Sequence, residues 1–110
     1  MRRIVRLSLI LLLAGLPALP QPDVRNVTGV VTDKRGNALP GAAVQLENTN
    51  NLSVMSYITG KDGRYHFNGL AGDIDFTLKA KYRKFWSTRK TLSKFNSSKK
   101  PQIELVIPVD

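Results

Sequence analysis

Phe76-Thr77-Leu78-Lys79-Ala80-Lys81-Tyr82-Arg83 is the stretch that decides the fold. Apolar Phe76, Leu78, Ala80 and Tyr82 alternate with polar Thr77, Lys79, Lys81 and Arg83. A period of two belongs to a β-strand with one buried and one solvated face. In a helix the apolar side chains would recur three and four residues apart, which they do not do here.

Similar pieces flank it on both sides. Upstream, Asn26 to Asp33 is rich in β-branched residues and ends in the loop Lys34-Arg35-Gly36-Asn37. Leu39-Pro40-Gly41-Ala42 follows; proline presets φ and glycine supplies φ > 0, as a type II turn requires. Val44 and Leu46 alternate with Gln45 and Glu47 in a half-buried strand. Leu52 to Thr59 is a further β-branched stretch, with apolar groups on both faces. Lys61-Asp62-Gly63-Arg64 then predicts a tight hairpin turn with φ > 0 at both central residues. Tyr65 and Phe67 share a face there, with His66 on the solvent side. Asn68 to Asp73 is a second turn cluster. Downstream, Phe85 to Leu92 reads as one strand, and Pro101 opens a last one in which Ile103, Leu105 and Ile107 share a face. The expectation is an all-β chain, a single Greek-key-like β-sandwich of six or seven strands.

The order of these pieces resembles the carboxypeptidase regulatory-like family. Its Val-x-Gly-x-Val-x-Asp opening is matched by Val27, Gly29, Val31 and Asp33, and its Leu-Pro-Gly-Ala segment by Leu39 to Ala42. The Thr-x-x-Asp-Gly-x-aromatic-x-Phe pattern is matched by Thr59, Asp62, Gly63, Tyr65 and Phe67. Where the family pattern has Gly-Tyr after the central strand, this chain has Lys81-Tyr82-Arg83. The resemblance implies a transthyretin-like (prealbumin-like) sandwich. It also implies a module of the kind appended to enzymes, outer-membrane receptors or surface proteins, where it binds, spaces or stabilises.

Before the first strand lies a different text. Met1-Arg2-Arg3-Ile4-Val5-Arg6 is basic, Leu7 to Leu16 is apolar, and Pro17, Pro20 and Pro22 break the run. This is the pattern of a helical secretory signal peptide, and the run is shorter than the ~20 residues of a membrane span. Residues 1–18 are expected to be the signal peptide, with cleavage after Ala18. Residues 19–24 are then a linker and 25–110 the sandwich domain, exported to the periplasm or outside the cell, with no transmembrane span after cleavage.

The 110 residues leave room for one domain, and with no cysteine there is no disulfide or thiolate metal site. His66 is the sole histidine, too few for a zinc peptidase site, which takes two histidines and a glutamate. It reads as an exposed strand residue. Asp73 and Asp75 read as turn residues, since calcium needs more oxygen ligands than this segment offers. The sequons at Asn26, Asn51 and Asn96 matter only in a host that glycosylates its exported proteins. No catalytic residue, metal or cofactor is expected.

Charge supplies the candidate site. Lys and Arg number 17 against 8 Asp and Glu, and from Lys79 to Lys100 nine basic residues occur with no acidic one. Lys79, Lys81 and Arg83 alternate with apolar residues and are expected on one sheet face. With Lys84, Trp86, Arg89 and Lys90 they form a candidate surface for an anionic partner: an envelope polymer, an acidic polysaccharide or an acidic protein. Nucleic acid ranks below these for an exported chain. The competing reading is a solvated basic edge that discourages sheet-to-sheet aggregation. The alternative function is an accessory or inhibitory subunit, docking on a separately encoded secreted enzyme or receptor through Phe85–Trp86 or the turn loops.

Overall fold

The computed structural model describes residues 23–110; the expected signal peptide, and residues 19–22 of the expected linker, lie outside the described residues. Eight strands follow one another: β1 (Val24–Thr32), β2 (Ala43–Asn48), β3 (Val54–Ile58), β4 (Arg64–Ala71), β5 (Phe76–Tyr82), β6 (Phe85–Trp86), β7 (Lys90–Leu92) and β8 (Leu105–Val106). One sheet has the order β4-β1-β8; the other runs β3-β2-β5-β6, with β7 also on β5. Both are as expected for an all-β sandwich. Among the described residues no helix is long and apolar enough to cross a membrane.

The alternation works as elementary pleat geometry requires. In β5, Phe76, Leu78 and Ala80 are buried, and they meet Val44 and Leu46 of β2 and Tyr65 and Phe67 of β4 in one core. A fully buried Leu or Val contributes about 1.5–3 kcal/mol. Leu105 and Ile107 close the core from the C-terminal segment, which pairs parallel to β1.

The strand expected over Phe85–Leu92 is divided in two. The Ser87 N–H donates to Ala80 O (2.8 Å), but the Ala80 N–H finds Ser87 Oγ (2.8 Å) where a strand carbonyl would stand. Once the side chain has replaced the main chain as acceptor, the strand leaves β5 and returns only at Lys90. This division accounts for part of the excess over the six or seven strands expected.

The expected Asp-Gly hairpin is a correction. β3 pairs with β2, and β4 with β1, so the turn carries the chain from one sheet to the other. Gly63 has φ +71°, whereas Asp62 is not left-handed. The flanks of this turn are tied to their neighbours rather than to each other. Thr59 Oγ1 donates to Leu39 O (2.6 Å) and accepts from the Ala42 N–H (2.9 Å), bridging the ends of the Leu39–Ala42 turn, where Gly41 has φ +78°. Gly63 O accepts from the Val31 N–H (2.8 Å). The threonine and the Asp-Gly pair therefore serve an inter-sheet junction.

Two further motif residues have local causes. Gly29 lies opposite Tyr65 in the β1–β4 register. The phenol crosses it to donate to Ile103 O (2.5 Å), and burial pushes the Tyr65 hydroxyl pKa up. A Cβ on Gly29 would sit 1.8 Å from Ile103 O and 2.6 Å from the Tyr65 ring. Asp33 closes the loop after β1: its Oδ1 accepts from the Arg35 and Asn37 N–H groups, each at 2.9 Å. Arg25 is buried at the other end of β1, donating to the carbonyls of Ser93 (2.6 Å) and Ile74 (2.9 Å) and so fastening two loops.

Candidate functional site

The outer face of the larger sheet follows from its register. Gln45 lies opposite Lys79, Glu47 opposite Thr77, and Ala43 opposite Lys81. All of these point away from the core, because Val44, Leu46, Leu78 and Ala80 between them are buried. Across the next ladder Lys81 pairs with Trp86, which puts the indole on the same outer face, 38% exposed.

Two ammonium groups converge on that indole. Lys79 Nζ lies 4.4 Å from the Trp86 ring centroid and Lys81 Nζ 5.3 Å. At an exposed site such a contact contributes about 0.5–1 kcal/mol. It also draws two like charges together, an arrangement that an anion between them would relieve. Arg89 joins Lys79, Gln45 and Glu47 around a shallow depression on this face. Glu47 is the acidic strand residue here, one row beyond Gln45.

The structure divides the seven candidate residues. Lys79, Lys81, Trp86 and Arg89 share the outer face. Arg83 and Lys84 do not: they form the turn between β5 and β6, in which Tyr82 pairs with Phe85. Arg83 has φ +56° and lies over the Tyr82 ring (5.3 Å), while Lys84 lies over the Phe85 ring (5.7 Å). The expected alternation of Lys79, Lys81 and Arg83 on one face therefore fails at Arg83, because the strand has already ended. Lys90 pairs with inward Leu78 and so emerges on the other side of the edge. Phe85 and Trp86 are both partly exposed, at 37% and 38%.

Gln45 and Glu47 were legible as outward residues of their own strand; that β2 adjoins β5, and in which register, was not. His66 is exposed, as expected, with its ring 4.8 Å from that of Tyr57. Asp75 Oδ1 accepts from the Lys94 N–H (2.5 Å), so this carboxylate holds a loop. Among the described residues no three His, Cys, Asp or Glu side chains are grouped as a metal would require.

The fold and this open, charged face define a β-sandwich module. The family model described as the carboxypeptidase regulatory-like domain matches residues 26–106, and the chain belongs to that family, one of non-catalytic modules. No curated protein matches it. Among solved structures, that of S.CueP is similar with a TM-score of 0.55 at 15% identity, over 82% of this chain and 65% of that one. The group B streptococcus pilus 2b backbone protein gives 0.53 at 18%, over 77% and 42%. The dioxygenase domain of a dioxygenase carbohydrate-binding protein fusion from the cellulolytic bacterium Streptomyces sp. SirexAA-E gives 0.56 at 14%, over 87% and 95%. The chain thus spans less than two thirds of the first two. At these identities the similarity is one of fold alone.

Proposed function

We propose that the protein is an exported, non-catalytic binding module whose outer sheet face engages an anionic polymer of the cell envelope or its surroundings. Export is read from the basic and apolar text of residues 1–18. The observation that carries the binding reading is the pair of ammonium groups, Lys79 and Lys81, held over exposed Trp86 with Arg89 nearby. Because cations already cover the indole, it serves to position charge more than to stack on a sugar ring. Phosphate- or uronate-bearing chains fit that chemistry better than neutral glycans, and an acidic protein surface would use the same contacts.

The test is retention on immobilised polyuronate and polyphosphate, with neutral dextran as control, at low and then high salt. The parent is expected to bind both anionic polymers and to be released by salt, since exposed charge contacts are screened within about 8 Å at physiological ionic strength. A Lys79→Ser/Lys81→Ser variant should lose most of this retention, while Arg83→Ser/Lys84→Ser, which removes equal charge off the face, should keep most of it. Equal loss in both variants would reduce the effect to net charge and sink the assignment of a site.

A further inference from the structure

We propose that two copies of this chain associate through β3, pairing antiparallel about Ser56 to form one continuous sheet. The other sheet edges carry devices that discourage strand addition. The β6–β7 edge is broken at Ser87 and carries Lys84, Arg89 and Lys90. β4 carries Arg64 and a register break opposite Arg25–Val27, and the C-terminal segment is flanked by Pro101 and Pro108. β3 has none of these. From Asn48 to Gly60 there is no charged residue and no proline, and Val54, Met55 and Ile58 are about half exposed or more, at 52%, 49% and 61%.

The register of the open edge is fixed by what its other side does. Ser53 O accepts from the Asn48 N–H and the Thr59 N–H donates to Ala42 O, both at 2.9 Å. Odd-numbered residues of this strand therefore point their backbone groups at β2, and those of Val54, Ser56 and Ile58 point outward. Ser56 placed opposite Ser56 of a second copy puts Val54 opposite Ile58 and Met55 opposite Tyr57. Every free donor in that stretch then meets a free acceptor, in about six hydrogen bonds. On each face the apolar side chains also meet apolar side chains. The strand is complementary to itself about this one point.

Charge favours the same occupant. Lys79, Lys81 and Arg89 lie on and beyond β5, on the side of the sheet away from β3, so two copies joined at β3 hold their β5 lysines five strand spacings, about 24 Å, apart. That is roughly three screening lengths at physiological salt. The two-fold axis stands normal to the sheet, so both Lys79–Lys81–Trp86 faces look the same way; if that face binds a linear polyanion as proposed above, each chain of the pair raises the local concentration for the other.

The chain contains no cysteine, which makes the arrangement testable with single introduced thiols in the full-length protein. A hydrogen-bonded antiparallel pair has its Cα atoms about 5.5 Å apart, within the range of a disulfide. Oxidised Ser56→Cys is expected to run as a covalent dimer, several-fold more abundant than for Val54→Cys, whose two thiols would lie about 14 Å apart in this register. Ser56→Lys, which sets two ammonium groups against each other at the axis, should sediment as a monomer at concentrations where the parent is a dimer. No dimer from Ser56→Cys, equal crosslinking of both variants, or a monomeric parent would each overturn the proposal. None of these readouts depends on anion binding, so they stand apart from the test of the basic face.

Discussion

Gly63 and Arg83 both adopt left-handed backbone at the end of a strand, yet they are held on opposite terms. At Gly63 a Cβ would lie 2.8 Å from Val31 O and 3.0 Å from both Ala38 Cβ and Leu39 N. The residue is enclosed by β1 and the loop that follows it, and its own carbonyl belongs to the ladder with Val31. At Arg83 the backbone is equally left-handed, at φ +56°, but the turn projects into solvent and an arginine is tolerated there. The first region is where the chain agrees with its family, residue by residue. The second is where it departs, carrying Lys81-Tyr82-Arg83 in place of Gly-Tyr. The motif residues are bound to the architecture, and the freedom to vary lies beside the charged face.

The contrast breaks most visibly at Gly63. Gly63→Val forces a β-branched residue into φ > 0 and into contact with Val31 O, and should cost about 3–5 kcal/mol, the strain and the overpacking acting together. Denaturant unfolding of the parent and the variant measures this directly. A variant with the parent's midpoint would mean that the inter-sheet junction is not the tight point of the fold.

At Arg83 the sign reverses. Glycine removes the left-handed penalty of about 1–2 kcal/mol, but gives part of it back through a freer unfolded chain. Arg83→Gly should therefore stabilise by about 0.5–1 kcal/mol, a rise of several degrees in melting temperature for a domain of this size. Because Arg83 lies off the Lys79–Lys81–Trp86 face, the variant should also bind anionic polymer much as the parent does. A lower melting temperature would show that the arginine's contact with the Tyr82 ring outweighs the strain.

What the sequence made legible follows the same division. The alternation in β5 announced its inward and outward residues, and the Leu39–Ala42 turn announced its glycine, because pleat and turn chemistry are local. The partner of each strand was not legible. Asp-Gly between two β-like runs predicts a hairpin on local grounds, but the hydroxyl of Thr59 and the carbonyl of Gly63 are claimed by the Leu39–Ala42 turn and by Val31, which are distant in sequence. The outward direction of Lys79 and Lys81 was legible from the alternation, but which of Phe85 and Trp86 joins them depends on the Lys81–Trp86 pairing. Leaving Arg83 off the face required knowing that the strand had already turned. Arg25 gave no local signal at all: a charged residue in a strand reads as solvated, and only the fold brings the carbonyls of Ser93 and Ile74 to it.

The mildest probe concerns the third way this chain secures a left-handed residue. Gly36, with φ +86°, is neither enclosed nor strained; the loop around it is fixed by Asp33, whose carboxylate accepts the Asn37 and Arg35 N–H groups. Those hydrogen bonds, that from Asn37 foremost, hold the Asp33 pKa below its ordinary 3.8. A carboxyl with a depressed folded pKa stabilises the native state above its unfolded value, and loses that contribution as pH falls through the folded one. The parent should thus lose stability below about pH 4 more steeply than Asp33→Asn, whose amide oxygen accepts the same N–H groups but does not titrate. Above about pH 5 the two curves should run parallel. Only their difference is read, so the other carboxylates of the chain cancel. Curves that stay parallel through the acid limb would mean that the Asp33 charge adds nothing beyond the geometry of its oxygens, and that this loop rests on those neutral hydrogen bonds alone.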